Sequence, residues 1–182
     1  MQAHNVELAA ITCNVAGTLI ASASTRGHII KIFSTDSGEC VQELKRGNSA
    51  ATINQLIFHP KEHILAVASN TNQSIHLFEL SGAVAKCLET ATSGFDKQDE
   101  SSTADAENKN SKQTLSWMGL VNKYFDSDAC LSKIKLTEAA KSVGFDTKSN
   151  KLCIVTHERT MYYADVPQKQ QRYIENASVR YF

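Results

Sequence analysis

A repeat of 45 residues, built from short β-type apolar runs between turn residues and free of helical spacing, predicts an all-β chain of β-propeller blades. The stretch "ITCNVAGTLIASASTRGHIIKIF" (11–33) lies without gaps on "LIFHPKEHILAVASNTNQSIHLF" (56–78). Leu19 then falls on Ile64, Ala21 on Ala66, Ser24 on Ser69, Ile30 on Ile75 and Phe33 on Phe78. A third copy, "VGFDTKSNKLCIVTHERTMYY" (143–163), sets Phe145 under Phe58 and Leu152 under Leu65. Four short strands per period give three four-stranded, WD40-like blades.

The first blade (1–47) is punctuated by Ala16-Gly17, Arg26-Gly27 and Asp36-Ser37-Gly38, and ends in "CVQELKRG" (40–47). The second (48–136) has three strands up to "IHLFEL" (75–80). Periodicity leaves two candidates for its fourth, "AVAKCLE" (83–89) and "ACLSKIKL" (129–136). Between them "SGFDKQDESSTADAENKNSKQ" (93–113) is polar and nearly free of large apolar residues. It cannot bury enough surface to order itself and reads as a long disordered loop. The third blade occupies 137–182, and strands are expected within 8–80 and 130–174. Propellers close with about four to eight blades. Three blades are therefore expected to be a fragment, a split half, or a unit that docks on the missing propeller blades.

Charge narrows the function. Nineteen basic and nineteen acidic side chains leave no net basic field, which argues against a general nucleic-acid binder. Any anion site must be local. Five widely spaced cysteines without a C-x-x-C pair, and no apolar leader at the N-terminus, read as reduced core thiols of a cytoplasmic protein. No apolar run approaches the ~18 residues of a membrane span. The chain shows no Gly-rich phosphate loop, nucleophile motif or paired acidic motif, so no enzyme and no cofactor are expected. The two histidines of "HPKEH" (59–63) sit four apart, but Pro60 disfavours a helix there; a turn is expected and no metal. His157 and Glu158 fall in a turn.

Two features do invite a function. Lys45 and Arg46 are adjacent at a strand end, and neighbouring residues of an extended chain point to opposite faces. One pair of cations can thus serve two pockets. In "TLSWMGLVNKYF" (114–125), Trp117, Met118, Val121, Tyr124 and Phe125 follow the spacing of one helix face. The segment either folds back onto its blade or acts as an interfacial anchor.

Taken together, "AHNVELAAITCNVAGTLIASASTRGHIIKIFSTDSGECVQELKRG" (3–47), "IHLFEL", "KYFDSDACLSKIKL" (123–136) and "AKSVGFDTKSNKLCIVTHERTMYYADV" (140–166) resemble the last three blades of the PROPPIN family. "ASASTRGH" and "LKRG" stand where that family shows A-T-A-S-x-K-G-T and (F/L)-R-R-G. The resemblance implies the C-terminal part of a seven-bladed propeller and selects 129–136 as the fourth strand, making 81–128 the loop. It also implies a peripheral membrane scaffold of autophagy or endolysosomal traffic that binds phosphatidylinositol 3-phosphate and the 3,5-bisphosphate. The protein would be cytoplasmic and peripheral on phagophore (preautophagosomal), endosomal or vacuolar/lysosomal membranes, with autophagy proteins as further partners. The first pocket would draw on His4, Ser24, Thr25, Arg26 and Lys45, the second on Arg46, Ser69, Thr71 and His76. Trp117, Met118, Leu120 and Val121 would enter the membrane. Lys45 stands in place of an arginine, His28 in place of a threonine, and "SNTNQS" (69–74) in place of S-S-D-K-G-T. These departures favour the alternative, a protein-interaction propeller segment that has lost lipid binding.

Overall fold

A computed structural model describes residues 3–61, 63–82, 84, 130–167 and 178–179. They form three four-stranded antiparallel sheets in strict chain order. The first holds β1 (Leu8–Cys13), β2 (Leu19–Ser24), β3 (Ile29–Ser34) and β4 (Cys40–Lys45). The second holds β5 (Ile53–Phe58), β6 (Ile64–Ser69), β7 (Ser74–Glu79) and β8 (Cys130–Lys135), and the third β9 (Ala140–Asp146), β10 (Lys151–Thr156), β11 (Met161–Asp165) and β12 (Ser178–Val179). These are the blades that the 45-residue period predicts.

The open choice for the second sheet is settled by pairing. β8 lies against β7, with Ser74 opposite Lys135, His76 opposite Lys133 and Leu77 opposite Ser132. The strand at 130–135 therefore closes the blade across the long interval 80–129. The segment 83–89 falls outside the described residues except for Val84, which is buried in the core. The loop expected at 93–113 and the anchor residues Trp117, Met118, Leu120 and Val121 also lie outside them. In the third sheet the last strand stands at Ser178–Val179, beyond the expected limit at 174, with Tyr162 opposite Val179. Pro167, which has no N–H to donate, follows β11 closely, and the polar run after it carries too little alternation to place a strand.

Packing follows from alternation. β6, "ILAVAS", is buried at all six positions. Its odd and even residues serve different neighbours: Leu65 and Val67 join Leu19, Ala21, Ile30, Ile32 and Leu44 of the first sheet, with Phe78. Ile64, Ala66 and Ala68 join Val143, Leu152 and Ile154 of the third, with Ile75 and Leu77. A sheet covered on both faces reads as a continuous apolar run rather than an alternating one. Each fully buried Leu, Ile or Phe contributes roughly 1.5–3 kcal/mol, so the two seams hold the blades together. The described thiols take no part in them: Cys13, Cys40 and Cys130 are exposed and Cys153 is half-buried, against the expectation of core cysteines, because they stand on strands at the edge of a sheet or on the faces away from the seams.

Amide side chains stitch the same seams. Gln55 donates from Nε2 to the Val143 carbonyl (2.8 Å) and accepts from the Val143 N–H (2.7 Å). Asn54 donates to the Ala140 carbonyl at 3.0 Å. Across the first seam, Gln42 Oε1 accepts from the Ser81 N–H at 3.0 Å. One edge of the array matters for function: the β2–β3 turn, the β4–β5 linker and the β6–β7 turn are joined there. Ala51 N–H donates to the Arg26 carbonyl (3.2 Å), and Asn70 N–H to the Thr52 carbonyl (3.1 Å).

Candidate functional site

Lys45 and Arg46 part company at the end of β4. Lys45 is exposed, on the side of the first sheet that faces away from the second, whereas Arg46 is 7% exposed and turned toward the second sheet. Backbone geometry fixes the arginine. Its N–H donates to the His28 carbonyl at 2.8 Å, and its Nε–H donates to the Gly27 carbonyl at 2.6 Å. An Nη2–H donates to the Ser49 carbonyl. Gly27 makes this possible: its φ is +63°, and a Cβ there would stand 1.9 Å from the Ala51 carbonyl oxygen. Only a residue without a side chain lets the turn approach the linker so closely.

On the outer side of the first sheet lie His4, Ser24 and Lys45. His4 Nε2 is hydrogen-bonded to Ser22 Oγ at 3.0 Å; burial lowers its pKa, against the smaller upward effects of the Ser22 bond and the Glu43 charge. Thr25 and Arg26 stand exposed in the turn at the edge of this group. Lys31 and Glu43 form an ion pair of 3.0 Å on the same side. Sequence reasoning did not include Glu43, whose carboxylate places a negative charge among the proposed anion ligands.

A different environment surrounds Arg46. Ser69 and His76 are 1% and 5% exposed and sit on the side of the second sheet that meets the first. Ser74, directly opposite Ser69 in the β6–β7 pairing, joins them. Ser69 Oγ, Ser74 Oγ and His76 Nε2 are buried and have no hydrogen-bond partner among the described residues. Thr71 is exposed on the turn, and its Oγ1 accepts from the Thr52 N–H at 3.1 Å. The pKa of His76 is lowered to about 4, chiefly by burial and then by the charges of Lys133 and Arg46. The imidazole is therefore neutral at pH 7, with Nδ1 3.8 Å from Cys130 Sγ.

Arg46 and these buried polar groups meet in the cleft between the first two sheets, close enough for the arginine's charge to bear on His76. Arg46 carries five N–H donors, of which two are taken by carbonyls, and it has no carboxylate partner among the described residues. Buried charges are normally paired, because taking an ion out of water is costly. Guanidinium, hydroxyl and imidazole N–H groups are all donors that suit an oxyanion. Ser74 was within reach of sequence reasoning as the last residue of "SNTNQS". Among the described residues no His, Cys, Asp and Glu cluster could hold a metal, and no helix is long and apolar enough to cross a membrane.

The PROPPIN family profile matches residues 1–103. Autophagy-related protein 18 of Mycosarcoma maydis is 37% identical over 97 residues, which is 52% of this chain and 21% of that protein. Kluyveromyces lactis Hsv2 superposes with a TM-score of 0.60 at 23% identity, covering 90% of this chain and 44% of the other. A solved complex of KlAtg21 with the coiled-coil of AgAtg16 gives a TM-score of 0.62 at 19% identity, covering 98% and 42%. The chain thus spans about a fifth of the curated relative and less than half of the solved propellers it matches.

Proposed function

The chain belongs to the PROPPIN family of β-propellers, and from that premise we propose that it binds the phosphorylated headgroup of phosphatidylinositol 3-phosphate or the 3,5-bisphosphate as a peripheral membrane scaffold of autophagy or endolysosomal traffic. One observation carries the reading. A buried arginine without an acidic partner faces three buried polar atoms, Ser69 Oγ, Ser74 Oγ and His76 Nε2, that lack hydrogen bonds among the described residues. A phosphate monoester offers several charged oxygens to donors of this kind. Lys45 serves a second, more open group with His4, Ser24, Thr25 and Arg26. Two weak sites on one rim act multivalently on a membrane. Trp117, Met118, Leu120 and Val121 are proposed as the apolar contact, and a shift of Trp117 emission to shorter wavelength on adding such liposomes checks it. The site of action is cytoplasmic, on phagophore, endosomal or vacuolar membranes. Autophagy proteins are proposed as partners, in keeping with the solved complex of a structurally similar propeller with a coiled-coil.

Liposome flotation tests the lipid reading. Replacing both Lys45 and Arg46 by Thr should abolish flotation on phosphatidylinositol 3-phosphate, and either single change should leave part of it. Because Arg46 also bonds two backbone carbonyls, each variant is melted thermally in parallel. Undiminished flotation of a folded double variant overturns the proposal. A second reading, a protein-interaction segment that has lost lipid binding, is favoured by Glu43, whose carboxylate pairs with Lys31 on the side that carries Lys45. Removal of that charge by Glu43→Gln separates the two: it strengthens flotation if this face meets phosphate and leaves it unchanged if it does not.

A further inference from the structure

Lys133 and Lys135 of β8 share the cleft-facing side of the second sheet with the unsatisfied polar groups. Register places Lys133 directly opposite His76 and Lys135 directly opposite Ser74. Directly opposed residues of an antiparallel pair project from one face with their Cβ atoms about 5 Å apart. Both lysines are exposed, and neither makes an ion pair among the described residues. Lys133 is close enough for its charge to bear on His76, as is Arg46 from the other wall.

Comparison of the two sheets sharpens this. In the first, Lys45 is opposite Ile29 and Glu43 opposite Lys31, so that row is a neutralised ion pair. In the second, Lys135 holds the place of Lys45, and Lys133 holds the place of Glu43 across from a neutral imidazole. The β6–β7 turn that rims the cleft, Asn70-Thr71-Asn72-Gln73, contains no cation. The cleft therefore takes its positive charge from two walls: Arg46 from the linker and two lysines from the outermost strand. A phosphate monoester carries about −1.5 to −2 at pH 7. One such group falls short of three cations, and two monoesters match them.

Resting on the anion-binding reading above, we propose that Lys133 and Lys135 are phosphate-contacting residues that make this cleft selective for a headgroup carrying two monoesters over one carrying a single monoester. Arg46, Ser69, Ser74 and His76 hold the first phosphate, and the strand lysines hold the second.

The test compares the parent chain with Lys133→Gln/Lys135→Gln, with Arg46→Thr, and with Lys141→Gln as an exposed control on the third sheet. Binding is measured to liposomes with phosphatidylinositol 3,5-bisphosphate, with phosphatidylinositol 3-phosphate, or with phosphatidylserine at matched charge, and to soluble inositol 1,3,5-trisphosphate. The lysine pair should weaken the 3,5-bisphosphate and the soluble headgroup by about tenfold or more. Its effect on 3-phosphate liposomes should stay within about threefold, as screened surface charge allows. The melting temperature should not move, because both side chains are exposed. Unchanged affinity for the 3,5-bisphosphate, with Arg46→Thr still defective, overturns this assignment and leaves the anion-binding reading standing. Equal losses on all three liposomes, or in the Lys141 control, reduce the lysines to general surface charge and also overturn it. Absence of binding by the parent chain overturns both.

Discussion

Gly27 holds the tightest contact at the candidate cleft, and its carbonyl receives the Arg46 side chain. Gly27→Ala should cost roughly 2–4 kcal/mol, combining a left-handed backbone with a Cβ driven onto the Ala51 carbonyl. Chemical denaturation reads this loss, and headgroup binding should fall with it because the arginine loses its support. At the neighbouring turn Gln73 adopts φ +45°. Here a glycine relieves strain, and Gln73→Gly should leave stability unchanged or raise it by up to about 1 kcal/mol. His76 supplies a pH signature. Its pKa is lowered to about 4 in the folded chain, against about 6.5 when unfolded. The unfolded state therefore binds the proton more readily between these values. Stability is full above pH 6.5 and declines as pH falls toward 4, by about 3 kcal/mol in all. Urea titrations across that window should show the decline, and His76→Gln should flatten it.

At the level of strands, Gln55 is the clearest bond between sheets: its amide satisfies both backbone groups of Val143. Gln55→Ala leaves that N–H and C=O without partners and should destabilise the chain by about 2 kcal/mol, measured by thermal or urea unfolding. The three-blade architecture could be read from the sequence because each strand repeats its apolar positions at a fixed interval. β6 was the most readable of all, since its residues serve both seams and are apolar nearly throughout. β8 needed more than periodicity, because 50 residues separate it from its partner β7. β12 escaped because two residues after a polar run carry no pattern. The cleft was half visible. Adjacent cations on an extended chain announce two faces, and Lys45 and Arg46 do occupy opposite ones. Ser74, Lys133 and Lys135 become neighbours only through register, and the Glu43–Lys31 pair only through cross-strand contact. A single sequence supplies neither before the strands are paired.

Across the whole chain, two blade faces are joined on each side of the second sheet, while the far side of the first sheet meets no other described sheet. Around β1, Leu8, Ile11 and Val15 are 49%, 63% and 83% exposed. Apolar surface of this kind favours association. Expressed by itself, the chain should self-associate at micromolar concentration in light scattering, and Ile11→Lys with Val15→Lys should reduce that association without lowering the melting temperature.

If a phosphate enters the cleft between the first two sheets, the His76 ring reports on it directly. Long-range nitrogen–proton correlation spectra of the imidazoles, recorded at pH 7 while inositol 1,3-bisphosphate is added, distinguish the histidines one by one. His76 should start as a neutral ring and its Nε2 resonance should move saturably, with Arg46→Thr abolishing the movement. A His76 resonance that stays in place at saturating headgroup, while the chain still floats with liposomes, would contradict phosphate entry into this cleft.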